Sequence, residues 1–208
     1  RYMHVADGNK YYPLHPKAEE VSIEVIAHHL ATRCRYNGAV QHKDVDWRMF
    51  YSVAEHSVYV ALYLILLGYG KREILTALLH DGSESYNGDL IRPLKYSTEF
   101  SAPFKIVEER NERAIAEKFD LIYPYPAIVK EADEAVTNAE ISQIVPQDPT
   151  QDWDSGKLHS DERRAPFEIK MLTPFDAKRM FLDLYNRVVS DTYPKGIREI
   201  YKFLEQYR

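Results

Sequence analysis

Apolar residues recur at helical spacing along most of this chain. The first such stretch covers residues 21–33, where Ile23, Ile26 and Leu30 lie three or four positions apart. The same periodicity predicts six further helices, over residues 53–67, 71–80, 103–119, 126–145, 174–189 and 195–207. No stretch shows the convincing alternation that is typical of a strand. The pattern therefore predicts an all-α fold of about six or seven helices.

Polar residues and prolines mark the ends of several predicted helices. Ser52 with Glu55 three residues later is the pattern of a capping box, which gives Glu55 a structural explanation. Thr173 followed by Pro174 predicts a helix cap and a first-turn proline. The stretch 146–166 is rich in Pro, Asp, Gln, Ser and Gly, and we interpret it as an ordered loop or lid.

The composition limits both the domain organisation and the range of partners. With 208 residues, 45% of them apolar, the chain is long enough for one domain with a sizeable core. We expect a single domain over 1–208, with its core at about 21–190. The net charge of −5 argues against a nucleic-acid polymer as partner, because proteins that bind such polymers carry a basic face.

The cysteine content and the apolar runs indicate the compartment. The single cysteine, Cys34, excludes an internal disulfide framework and fits a reducing environment. The first ten residues have no hydrophobic signal core, and the longest apolar run, residues 58–69, is too short to span a bilayer. These features predict a cytoplasmic protein without a membrane partner.

Four ionisable residues fall where the pattern predicts burial. His80 and Asp81 end the apolar helix over 71–80, His56 lies on the apolar stripe of the helix over 53–67, and Asp133 lies among apolar neighbours in the helix over 126–145. Burying such groups without a partner is costly. A core histidine that hydrogen-bonds its neighbour would satisfy the His80–Asp81 pair alone. A divalent metal ion would satisfy all four residues.

The chemistry of this set favours a particular class of metal. Two imidazoles and two carboxylates from three helices suit Mn²⁺, Co²⁺, Zn²⁺ or Fe²⁺ better than a closed structural zinc site, and Mg²⁺ stays open. A site of this kind lowers the pKa of bound water and polarises a phosphoryl oxygen.

A short turn between the first two long predicted helices carries cations and an aromatic ring. Arg33, Arg35 and Tyr36 lie in the stretch that ends at Asn37-Gly38. Arginines here suit an ordinary solvated helix C-terminus. The same groups are also those needed to bind a phosphate in a fork and to stack on a base. The residues alone leave both interpretations open.

The ordered set His56, His80-Asp81 and Asp133 resembles the H…HD…D signature of the HD-domain phosphohydrolases. The similarity extends to the residues around each motif, at 51–57, 77–84, 88–89, 93–95 and 131–133. Over about residues 11 to 185 the chain is similar to bacterial 5′-deoxynucleotidases and to phage and plasmid HD proteins, including deoxynucleoside triphosphohydrolases. This resemblance implies a single HD-type helical bundle in a bacterial or phage-infected host cytosol.

The resemblance also implies roles for individual residues. His56, His80, Asp81 and Asp133 would bind the metal. Glu84 matches an acidic residue that positions or activates the attacking water, and Asp89 matches an aspartate that contacts the sugar hydroxyl.

Further implied roles concern the phosphate and the assembly. Arg35 and Tyr36 resemble an arginine–aromatic pair that holds the phosphate and packs on the nucleoside. The segment between Tyr36 and His56 is longer here than in the nucleotidases, which leaves the choice between Arg33 and Arg35 open. Lys95 is a candidate second phosphate contact. The family resemblance further implies a homo-oligomer.

The expected function is therefore a metal-dependent phosphohydrolase whose partner is a nucleotide substrate. It would remove phosphate from (deoxy)nucleoside 5′-mono-, di- or triphosphates and so act as a nucleotide-pool hydrolase. A dATP-type triphosphohydrolase is one form that this activity could take. Two alternatives stay open: a 5′-deoxynucleotidase acting strictly on monophosphates, and a non-catalytic helical module that senses nucleotides. Metal content separates the enzymes from a module that lacks the ion.

Overall fold

The computed structural model describes residues 1–45, 47–96, 100–151 and 163–207. The α-helices in these ranges are α1 (Ile23–Ala31), α2 (Val53–Leu66), α3 (Lys71–Leu78), α4 (Glu84–Asn87), α5 (Arg92–Tyr96), α6 (Ser101–Phe119), α7 (Ala127–Ile144), α8 (Pro174–Val189) and α9 (Ile197–Leu204). Two short strands, β1 (Met3–His4) and β2 (Lys10–Tyr11), pair antiparallel near the N-terminus. The predicted all-α class is confirmed.

The prediction was wrong in several details of the secondary structure. The described part of the chain holds nine α-helices where about six or seven were expected. The two that were missed, α4 and α5, have four and five residues, which is too short for a helical period to be visible. The N-terminal strands were also missed, since each has only two residues. Of the predicted loop or lid at 146–166, residues 152–162 lie outside the described residues.

Helix α2 lies at the centre of the core. Twelve of its fourteen residues are buried, because the helix is apolar on nearly all sides. It packs against α1, α3, α7 and α8. Among the described residues, no helix has the length and apolar character needed to cross a membrane.

The capping box at the start of α2 is only half formed. The hydroxyl of Ser52 accepts the backbone N–H of Glu55 at 3.1 Å, as predicted. The Glu55 carboxylate does not return to Ser52, however. It accepts backbone N–H groups from Met171 at 3.0 Å and Leu172 at 2.7 Å, and so holds the segment before α8 against α2.

The packing of three helices brings the predicted metal ligands together. His56 lies in the first turn of α2, His80 and Asp81 directly follow α3, and Asp133 lies in the middle of α7. Helices α2, α3 and α7 all pack on one another. The four residues are therefore neighbours in space although they are far apart in sequence.

Candidate metal centre

His56, His80 and Asp81 form a compact group that could hold a metal ion. One ligand atom from each residue lies within 4.8 Å of the other two. The Nε2 atom of His80 is 3.3 Å from Oδ2 of Asp81, and the Nε2 atom of His56 is 3.8 Å from the same oxygen. We call these three residues, with the adjacent Asp133, the candidate metal centre.

Asp133 joins the centre through His56. Its Oδ1 atom lies 3.1 Å from Nε2 of His56. Burial raises the pKa of Asp133, but the neighbouring His56, His80 and Arg35 outweigh burial and hold this pKa well below its usual value. The carboxylate is thus ionised at neutral pH, as a metal ligand must be.

The surroundings of the two histidines fit a bound metal ion. The Nδ1 atom of His80 is 2.7 Å from the carbonyl oxygen of Ala77, and the Nδ1 atom of His56 is 2.6 Å from Oε1 of Glu140. Because both partners are acceptors, each Nδ1 carries the proton when the ring is neutral, and the lone pair is on Nε2. Both Nε2 atoms are buried, and neither makes a well-aligned hydrogen bond among the described residues, although Nε2 of His56 lies 3.1 Å from Oδ1 of Asp133. Buried atoms left in this state are the ones a cation would satisfy.

Glu140 is a functional residue that the sequence interpretation missed. It is fully buried. Besides contacting His56, it accepts the hydroxyls of Tyr36 at 2.6 Å and Tyr51 at 2.7 Å, and it lies 3.2 Å from Nη2 of Arg35. Burial raises the pKa of Glu140, but Arg35 and His56 lower it to about 2. A signal for it existed, since residues seven apart share a helix face and Glu140 lies seven after Asp133.

The charge of His56 depends on the balance of these neighbours. Burial lowers the pKa of its imidazole, and so does Arg35. Glu140 and Asp133 act in the opposite direction and raise it to about 9. In the absence of an ion, the ring therefore carries a proton that metal binding would release.

A cavity of about 720 Å³, the main cavity, opens on the candidate metal centre. His80, Asp81 and Asp133 contribute to its wall. Predicted substrate and catalytic residues line it too, namely Arg35, Tyr36, Glu84, Asp89 and Lys95. The structure thus gathers these side chains around one space.

Arg33 does not line the main cavity. It faces a neighbouring polar cavity of about 480 Å³, together with Asn37 and Asp89. Arg35 instead lies 3.6 Å from Asp81 in the centre itself. The turn that directly follows Arg35 is unusual, because Tyr36 and Asn37 both have left-handed backbone angles, with φ of 54° and 52°.

The acidic residues of the main cavity have altered proton affinities. Burial, together with the carboxylates of Asp81 and Asp89, raises the pKa of Glu84 well above its usual value. Its Oε2 atom is buried and has no hydrogen-bond partner in the described part of the chain. Burial likewise raises the pKa of Asp89. Lys95 is already engaged, since its Nζ atom is 2.7 Å from Oε1 of Glu108.

Comparisons with known proteins supply relatives but no activity. No family model matches the chain. An uncharacterized protein of Rhodobacter capsulatus is 34% identical over 136 residues, which cover 64% of this chain and 66%, just under two thirds, of that protein. The uncharacterized protein YfdR of Escherichia coli is 27% identical over 179 residues, or 86% of this chain and 90% of YfdR. The HD-domain resemblance therefore stays a prediction.

Proposed function

We propose that this protein is a metal-dependent phosphohydrolase of the HD-domain type that acts on (deoxy)nucleoside 5′-phosphates. One observation carries the proposal: two histidines bring buried Nε2 atoms beside two carboxylates, and one of these histidines and both carboxylates line a cavity that Arg35 also lines. A cation site next to a partly buried arginine suits a phosphoryl group, which is negatively charged and has oxygens that a cation polarises.

His56, His80, Asp81 and Asp133 would hold the ion. A divalent cation supplies Lewis acidity that polarises a phosphoryl oxygen. Glu140 and the Ala77 carbonyl orient the two imidazoles, so that the ligand atoms are in place before the ion arrives.

The other residues of the main cavity act on the substrate and on the proton. Arg35 neutralises the charge of the phosphate. Asp81 and Glu140 hold the Arg35 guanidinium in position for this contact. Glu84 takes the proton of the attacking water, and its buried Oε2 atom, which has no hydrogen-bond partner in the described part of the chain, accepts that proton. Asp89 accepts a hydrogen bond from the sugar hydroxyl, and Tyr36 packs on the nucleoside.

The decisive experiment combines metal analysis with product analysis. Purified protein is assayed against deoxynucleoside mono-, di- and triphosphates with Mn²⁺, Co²⁺, Zn²⁺, Fe²⁺ or Mg²⁺, and the products are separated by chromatography. Orthophosphate from monophosphates alone would identify a strict 5′-deoxynucleotidase. Loss of a triphosphate would identify a triphosphohydrolase. Bound metal without turnover of any nucleotide would contradict the proposal and favour a nucleotide-sensing module.

Replacing one metal ligand gives the matched test of the site. We expect His80→Ala to lower metal affinity at least about 10-fold and to abolish turnover, because His80 offers a buried, unpaired nitrogen to the ion. His28→Ala is the control, since His28 is an exposed histidine on α1. Metal content by mass spectrometry and phosphate release are measured on both variants. Equal metal content in the two would count against the assignment.

A further inference from the structure

The wall of the main cavity includes a second polar group, Glu112 from α6 and Tyr125 from the segment before α7. The hydroxyl of Tyr125 is buried and has no hydrogen-bond partner among the described residues. Glu112 accepts the hydroxyl of Tyr123 through Oε2 at 3.2 Å. The Tyr123 ring meets the Tyr125 ring edge to face, with centroids 5.5 Å apart, which holds both rings in position.

This pair shares the main cavity with the candidate metal centre. Glu112 and Tyr125 line the cavity, and so do His80, Asp81 and Asp133. Tyr125 precedes Pro126, the N-cap of α7, whereas Asp133 lies about two turns into that helix. A nucleotide whose phosphate lies at the centre would therefore extend its base into the cavity that Tyr125 and Glu112 line.

The chemistry of Glu112 limits what it can bind. Burial and the neighbouring Glu108 raise its pKa to about 7, against the effect of the Tyr123 hydrogen bond. The carboxylate and the acid are thus both populated near neutral pH. Both forms accept an amino N–H, and the acid also donates to a ring nitrogen. A base carbonyl is bound by the acid form alone, whereas an amino N–H is bound by both forms, so Glu112 favours an amino group.

We propose that Glu112 and Tyr125 form a base-binding subsite that selects nucleotides whose base carries an exocyclic amino group. Adenine, cytosine and guanine would be preferred over thymine and uracil. Glu112 accepts the amino N–H, while the unpaired hydroxyl of Tyr125 gains the partner that it lacks in the free protein. This inference rests on the proposed function, since it requires a nucleotide with its phosphate at the centre.

The test compares substrates with and without the base. The quantity measured is the ratio of kcat/KM for deoxyadenosine monophosphate to kcat/KM for deoxyribose 5-phosphate, which lacks a base. We expect Glu112→Ala to lower this ratio about 10- to 100-fold, and Tyr125→Phe to lower it about 3- to 10-fold. Glu117→Ala, an exposed glutamate on the same helix, is the control. Calorimetric binding of deoxyadenosine and deoxythymidine monophosphates is measured in parallel.

The outcomes separate the two proposals. A ratio that Glu112→Ala leaves unchanged, or equal wild-type kcat/KM for adenine and thymine nucleotides, would overturn the base-binding subsite and leave the phosphohydrolase standing. If no substrate is turned over, deoxyribose 5-phosphate included, the phosphohydrolase fails. In that case tighter binding of the adenine nucleotide, lost in Glu112→Ala, would still support the subsite. Equal binding of both nucleotides would overturn it.

Discussion

Glu140 connects His56 of the candidate metal centre to Arg35 of the main cavity. One of its oxygens lies 2.6 Å from Nδ1 of His56, and the other is 3.2 Å from Arg35. A carboxylate behind a ligating histidine fixes the ring orientation and makes the imidazole a better ligand. Glu140 therefore supports His56 from the Nδ1 side, away from the Nε2 atom that would hold an ion.

This arrangement predicts the effect of removing the charge of Glu140. We expect Glu140→Gln to weaken metal binding about 10- to 100-fold, because the amide keeps the shape but loses the negative charge that supports His56. Glu131→Gln, an exposed glutamate on α7, should bind metal like the wild type. Competition with a chelator of known affinity measures both dissociation constants. Equal affinities would show that Glu140 supports only the fold.

Sequence reasoning selected the four residues of the candidate metal centre but not the groups that support them. His56, His80, Asp81 and Asp133 were recognisable because a polar residue on an apolar stripe needs an explanation. Glu140 is also a polar residue on a buried helix face and needs the same kind of explanation. Its partners, however, come from other parts of the chain, including the turn at Arg35 and Tyr36. The sequence does not show which residues of that turn face inward. Nor does it show that Arg33 and Arg35, two residues apart, line different cavities.

At the scale of elements, Glu55 joins α2 to the segment before α8. Its buried carboxylate accepts backbone N–H groups at Lys170, Met171 and Leu172. The capping-box pattern predicted the Ser52 half of this contact and missed the other half, since the segment that Glu55 holds lies more than a hundred residues away. A short sequence pattern such as the capping box cannot reveal a hydrogen-bond partner that is so distant in the sequence.

The proton affinity of Glu55 predicts how stability depends on pH. Burial raises its pKa from the ordinary 4.5 to about 7, despite the backbone hydrogen bonds that oppose this change. The folded state thus binds the proton more tightly than the unfolded state does. The resulting stabilisation is complete below about pH 4.5 and is lost as the pH rises through about 7.

The measurement is the free energy of unfolding of the wild type minus that of Glu55→Gln, by urea denaturation at several pH values. We expect this difference to fall by roughly 3 kcal/mol between pH 4.5 and 7 and to be flat above that range. Glu205→Gln, an exposed glutamate after α9, should show no such trend relative to the wild type. A difference that is independent of pH would contradict the raised pKa.

At the scale of the whole molecule, the candidate metal centre joins helices that are distant in sequence. Its side chains come from α2, from the end of α3 and from α7. An ion that binds the folded chain alone stabilises it by mass action. The single domain, the homo-oligomer and the cytoplasmic location stay predictions, because the contacts of the candidate metal centre do not test any of them.

Removing the metal should therefore lower the thermal stability of the protein. With free ion at about 1,000 times the dissociation constant, the stabilisation is about 4 kcal/mol, which corresponds to a shift in Tm of roughly 10 °C for a chain of this length. Calorimetric scans with excess Mn²⁺ and with a chelator measure the shift. Asp81→Asn should show little shift, because the variant lacks one ligand charge. A wild-type Tm that is the same with and without the ion would argue against a metal bound between these helices.

The burial of α2 also bears on how long the centre persists during thermal fluctuations. Local opening costs the least free energy where few apolar contacts hold an element in place. Helix α2 is buried along most of its length, so its opening should cost much more. The backbone amides around His56 should thus exchange hydrogen with solvent among the slowest in the molecule. Fraying at α9 or at the N-terminal strands would leave these amides protected. His56 is thereby attached to the part of the fold that we expect to open last.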